Sequence, residues 1–134
     1  MSLSNWSENA LLDWLLDMGN ASGPTRPTET WVALHTGDPG EDGSQNLVDT
    51  GIDANYLRKE VDFGSASSGS TVSIAEVTWV VAASSPGYTV THISIWDFVS
   101  AGKCLFHGPL VVARTLAANG ILTFNAGDIV AALD

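Results

Sequence analysis

Between Thr89 and Leu110 the chain reads TVTHISIWDFVSAGKCLFHGPL, two apolar runs joined at Ser100-Ala101-Gly102-Lys103. In the first run Thr91, Ile93, Ile95 and Asp97 fall on one side, and Val90, His92, Ser94 and Trp96 on the other. Period two, β-branched residues and a Gly-bearing turn predict a β-hairpin. The alternation sets Ile93 and Ile95 against a core. Trp96 then covers the opposite face, beneath a second layer or a partner chain.

A different period marks the N-terminus. In SLSNWSENALLDWLLDMGN, residues Trp6, Ala10, Leu11, Trp14, Leu15 and Met18 recur at three-to-four spacing and form one apolar stripe. Asn5 with Glu8 resembles a capping box, with Ser4 as the alternative cap. Gly19 and Asn20 supply the stop, and Gly23-Pro24 and Pro27 prevent resumption. Two tryptophans on one stripe require a large apolar surface, either the protein's own sheet or a neighbouring subunit.

From Thr30 onward the pattern is short β runs between turn clusters. TWVALHT is a strand with Trp31, Ala33 and His35 on one face and Val32 and Leu34 on the other. GDPGEDGSQNLVDTGIDAN is a long surface loop. YLRKEVDF places Leu57, Val61 and Phe63 on one face, interrupted by Lys59. TVSIAEVTWVVAA is one broken strand or two. VVARTLAANGILTFNAG gives two strands across an Asn-Gly turn, and IVAALD a last strand. The expected fold is all-β, a β-sandwich or jelly-roll-like domain of about eight strands with one N-terminal helix. Residues 1–134 make a single domain, with the helix in 1–19 and the β region in 30–134.

Composition narrows the function classes. Fifteen acidic residues against five basic give a formal net charge of −10. A phosphate backbone needs clustered Lys and Arg, so nucleic acid is not an expected partner. No apolar run approaches the roughly 20 residues that cross a bilayer, and the N-terminus lacks the basic flank and cleavage pattern of a signal peptide. Neither membrane contact nor signal-directed export is expected. Cys104 is the one cysteine, expected as a buried thiol that packs as a small apolar residue.

Candidate chemistry is sparse. Asp38, Glu41, Asp42, Asp49 and Asp53 could gather around calcium, but their spacing lacks the alternating acids, central Gly and distal Glu of a calcium loop. His35, His92 and His107 sit on separate strands, and nothing in their spacing demands a shared metal. No G-x-S-x-G elbow, phosphate loop or dinucleotide fingerprint occurs. A carboxylate pair for glycan hydrolysis, which only a fold can assemble, remains a third-rank alternative. The expectation is a binding or structural module, not an enzyme, with no cofactor and no metal.

The blocks SNWSENALLDWLL, WVALHTGDPGEDG, NYLRKEVDF, TVTHISIWD, CLFHGPL and FNAGDIVAALD occur in this order across nearly the whole chain. In that order and spacing the chain resembles a family of small tailed-bacteriophage virion proteins, the tail fibre-like or head-decoration proteins. It departs from their pattern at Lys103-Cys104 and in the Trp79-Val80-Val81 run. The resemblance implies a β-sandwich subunit of the particle without catalytic residues, made in the host cytoplasm. The first expectation is a capsid cement protein on the shell exterior, a homotrimer whose partner is the major capsid protein. The alternative is a tail or tail-fibre component that contacts other tail proteins or the host surface. Expected partner-binding residues are Trp6, Trp14 and Leu15 on the helix and Asp38, Glu41 and Asp42 in the acidic loop. The helical end is expected to face the particle, with self-association through sheet faces or edges.

Overall fold

The computed structural model describes residues 1–16 and 26–133. Met18, Gly19, Asn20, Gly23 and Pro24, the end of the predicted helix and its stop, lie outside the described residues. The elements in order are β1 (Ser2–Leu3), α1 (Asn5–Leu16), β2 (Trp31–His35), β3 (Lys59–Glu60) and β4 (Ser70–Val72). There follow β5 (Val77–Val80), β6 (Tyr88–Trp96), β7 (Cys104–Leu116), β8 (Ile121–Phe124) and β9 (Val130–Ala132). All pairings are antiparallel, in one five-stranded sheet ordered β1-β7-β6-β2-β3 and two ribbons, β4-β9 and β5-β8. The fold is an all-β sandwich with one N-terminal helix.

The layers follow from alternation on β2. Val32 and Leu34 enter the main core with Ile93 and Ile95 of β6, Val77 and Trp79 of β5, Leu122 and Phe124 of β8, and Ile129. The ribbons thus supply the second layer. Trp79 anchors it, its ring edge-on to Phe124 with centroids 6.0 Å apart and its indole N–H donating to the Leu57 carbonyl at 2.8 Å. On the opposite face Ala33, Trp96 and Cys104 form a second cluster with Trp31 and Leu47.

The central hairpin forms, with two departures from strict alternation. Val90 joins the main core beside Ile93 and Ile95, although its parity assigns it to the other face. The β6–β7 register breaks between Val90 and His92, and such an irregularity reverses which side following residues occupy. A second break places Trp96 opposite Cys104 while Ile95 faces Phe106, so Leu105 is the extra residue. That shift turns Cys104 toward Trp96. The connection is also longer than expected, because β6 stops at Trp96 and leaves Phe98 and Val99 exposed.

Three other expectations change. Leu57 is exposed, and Tyr56 enters the core instead, because regular strand begins only at Lys59. The Tyr56 hydroxyl accepts the Leu34 N–H at 3.0 Å. TVSIAEVTWVVAA resolves into two strands, β4 and β5. The Asn-Gly segment does not fold β7 onto β8: β7 pairs with β6, and β8 with β5. A two-residue hairpin turn of the favoured kind needs positive φ at both central residues. Here the turn closes from the Gly120 N–H to the Ala117 carbonyl; Asn119 (φ 61°) is its second central residue, and Ala118 before it has no positive φ. The chain therefore crosses between layers there.

Asp53 pins the long loop to the sandwich. It is 1% exposed; one carboxylate oxygen accepts the N–H groups of Asn55 (3.0 Å) and Ala82 (2.9 Å), and the other the Tyr88 hydroxyl (2.9 Å). Burial, then Asp53, pushes the Tyr88 phenol up. Replacing Asp53 by Ala strands two buried donors, and bonds to a charged group contribute roughly 1.5–3 kcal/mol each. Asp53→Ala is expected to lower unfolding free energy by at least about 3 kcal/mol in a urea titration. A change below about 1 kcal/mol would show that the carboxylate is replaceable.

Candidate functional site

Helix α1 begins at Ser4, the alternative cap. The Ser7 N–H donates to Ser4 Oγ at 3.2 Å, and the Ser4 hydroxyl in turn donates to the Cys104 carbonyl. Asn5 already lies within the helix, so the Asn5–Glu8 box is not the cap. Ser4 thus stitches the start of α1 to β7, while the Asn5 N–H donates to the Glu41 carbonyl of the acidic loop at 3.3 Å.

Beyond that attachment the helix stands off. Ser7 is its one buried residue, whereas Trp6 is 38% and Trp14 62% exposed, and Leu12, Leu15 and Leu16 are exposed as well. The sheet therefore does not cover the tryptophan stripe. The side chain at the closest approach is a small serine, so the larger residues on either side hang over space. A groove of about 580 Å³ opens there, with Trp6, Leu11 and Trp14 on one wall and Leu3, Leu105, Phe106 and Leu133 on the other.

The acidic loop meets the foot of the same helix. Glu41 and Asp42 border a cleft of about 300 Å³ with Asn5, Trp6, Trp96, Lys103 and Cys104. Of the expected partner-binding residues, the structure brings Trp6, Glu41 and Asp42 together. Trp14 lies further along the groove, and Leu15 lines neither opening. Asp38 is occupied locally, accepting the Gly40 N–H at 2.9 Å. Asp42 likewise accepts the Ser44 hydroxyl (2.7 Å) and N–H (3.0 Å), which hold its carboxyl below the ordinary range. Asp49 caps its own turn through the N–H groups of Gly51 and Ile52. Asp38, Asp42 and Asp49 thus serve their own segments. Among the described residues no three His, Cys, Asp or Glu side chains converge in a way that could hold a metal ion.

Beneath the cleft the packing is tight. The Arg58 guanidinium lies 3.8 Å from the centroid of the Trp96 ring and donates to the carbonyls of Phe98 (2.9 Å) and Ala101 (2.7 Å). Trp96 is therefore covered within its own chain. Gly43, at φ 72°, sits where a Cβ would come within 2.7 Å of Cys104 Sγ and 2.8 Å of the Trp96 ring. Burial pushes the Cys104 thiol up to about 12, so it remains protonated and inert.

The three histidines share one sheet face, since His35 is paired with His92 and His107 lies opposite Ser94. They do not form a ligand set. His35 is fully buried; its Nδ1–H donates to the Gln45 carbonyl at 2.7 Å, and Nε2 accepts the Ser94 hydroxyl at 2.6 Å. The Trp96 indole N–H donates to that same Ser94 oxygen at 2.7 Å. A serine on a histidine suggests a nucleophile, but Ser94 is 0% exposed and no substrate reaches it. The chain of bonds is structural. His107 lies 3.8 Å from a Glu41 carboxylate oxygen, too far for a hydrogen bond, and its Nε2 has no partner. No helix among the described residues is long and apolar enough to cross a membrane.

Residues 2–132 match the sequence profile of the family described as "Podophage GP4 fiber I protein gp80". The chain belongs to this family. Membership of the gp80 fibre family makes it a bacteriophage structural protein of the virion, as the ordered sequence blocks implied. No curated protein matches the chain.

Burial lowers the His35 pKa from 6.5 to about 4, against an opposing contribution from the Gln45 carbonyl. The unfolded chain takes up this proton below pH 6.5, and the folded protein resists until about pH 4. His35 therefore stabilises the fold above pH 6.5, and that contribution declines as pH falls from 6.5 to 4, by roughly 3 kcal/mol. The gap in unfolding free energy between the wild type and His35→Gln should narrow over this interval. Parallel curves would show that burial of the neutral ring is not coupled to folding.

Proposed function

We propose that the protein is a structural subunit of a podophage tail-fibre apparatus, acting through protein–protein contact and not through catalysis. The observation that carries this reading is the family match, which spans almost the whole chain and whose description names a fibre protein. The structure supports a contact role. An apolar groove opens under a helix that displays Trp6 and Trp14, a surface suited to another protein's apolar side chains. The Ser94–His35 contact is sealed in the sheet, and Asp38, Asp42 and Asp49 are spent on their own turns. Contacts to neighbouring tail or fibre proteins fit this surface better than polar host glycans do.

The fibre reading takes precedence over capsid decoration because neither the acidic surface nor the domain size favours a shell over a tail. Antibodies raised against the protein and viewed on particles by electron microscopy test the assignment. Label confined to the tail is expected. Label spread over the shell would overturn the fibre reading in favour of decoration of the major capsid protein.

A further inference from the structure

His107 of β7 is paired on both sides, with Ser94 of β6 and with Ser2 of β1. It shares the sheet face that carries the acidic loop and is 9% exposed. Its Nε2 is buried and finds no hydrogen-bond partner among the described residues. A buried ring nitrogen left unpaired is costly, and native folds ordinarily supply a partner. A Glu41 carboxylate oxygen stands 3.8 Å away, and no other basic group among the described residues comes as close to a carboxylate.

The loop is seated so that this gap can close. Gly43 rests against Cys104 and Trp96 with no room for a Cβ, which holds the loop low over β7. The Glu41 carbonyl accepts the Asn5 N–H at 3.3 Å, so the backbone that carries the carboxylate also bears on the first residue of α1. The Glu41 side chain is 63% exposed and free to turn. A charge-assisted N–H···O bond spans about 2.7–2.9 Å, so a movement of about 1 Å completes one here.

Other charges around the ring set the balance. His35 on β2 does not compete for a proton: both its ring nitrogens are bonded, and burial keeps it neutral down to about pH 4. His92 on β6 is paired with His35 and bonded at Nδ1 to the Thr91 hydroxyl. The Met1 amino group beside Gly108, Lys103 at the cleft and Arg58 over Trp96 oppose a positive charge on His107. Glu8 near Ser2 and Asp42 at the cleft favour it. Glu41 alone stands within reach of a direct bond to it.

We propose that His107 and Glu41 form a pH-operated clasp: when His107 takes up a proton at Nε2, Glu41 closes on it and fastens the acidic loop and the start of α1 to β7. Imidazoles ordinarily change charge between pH 5 and 8, where a glutamate stays largely ionised. The pair attracts only while the ring is charged, so its contribution to stability is present at low pH and lost as pH rises. This is opposite in sign to His35, whose contribution declines as pH falls. The clasp concerns the isolated chain, so it stands or fails independently of the fibre assignment.

Urea titrations of the full chain test it in the wild type, Glu41→Gln, His107→Gln and the double variant, at pH 8 and pH 5.5. Coupling between the two sites should be absent at pH 8 and amount to about threefold in the folded-to-unfolded ratio at pH 5.5. The titration of His35 is common to all four proteins and cancels. Because His107 is buried and its variant could fail to fold, Glu41→Gln is also read alone by nuclear magnetic resonance. The Asn5 amide resonance should move between pH 8 and 5.5 in the wild type and hold nearly still in Glu41→Gln, although His107 still titrates there. Coupling that is equal at the two pH values, or an Asn5 resonance that moves as far in Glu41→Gln as in the wild type, would overturn the proposal.

Discussion

Strand β6 has to serve two interiors at once, and the rest of the sandwich is arranged around that constraint. Its pairing with β2 and β7 puts Ile93 and Ile95 under the ribbons while Ser94 and Trp96 face the acidic loop. A regular ladder would also send Val90 away from the ribbons. The break at Thr91 returns it to the main core, with four β7 residues set against one in β6, an excess of three. The same irregularity that completes the interior thus leaves Val111 and Val112 exposed. Core packing and surface character are two consequences of one register.

Buried polar groups in this acidic chain are satisfied within the fold. Asp53, Ser94 and His35 are all buried, and each finds partners within the fold. Cys104 behaves as an apolar side chain against Trp96 and Gly43, which its high pKa reflects. The acids that remain at the surface lie mainly in α1 and the loops, while β7 and β8 carry none. Val111 and Val112 belong to the acid-free strand β7, although Asp128 borders the same opening as Val111.

Much of this was legible in the chain. Alternation in β2 and around Ile93 and Ile95 places those residues correctly, because a strand in a two-layer sheet allows little else. The helix could be read from its stripe, as could the all-β class from closely spaced turns. What failed was parity across irregularities: Val90 and Leu57 sit beside a register break and a late strand start. Asn119-Gly120 was misread because the dipeptide signals a turn but not which sheet the next strand joins. The tryptophan stripe was visible, but whether a sheet covers it depends on where Ser4 anchors the helix. The exposure of Val111 and Val112 had no local signal at all, since LVVA reads as ordinary strand.

The most direct measurement of the particle role is the copy number of this protein relative to the major capsid protein, by quantitative mass spectrometry of purified virions. A fibre subunit is expected at a small, fixed number per particle, far below the capsid protein. A ratio approaching that of the capsid protein would contradict the fibre assignment.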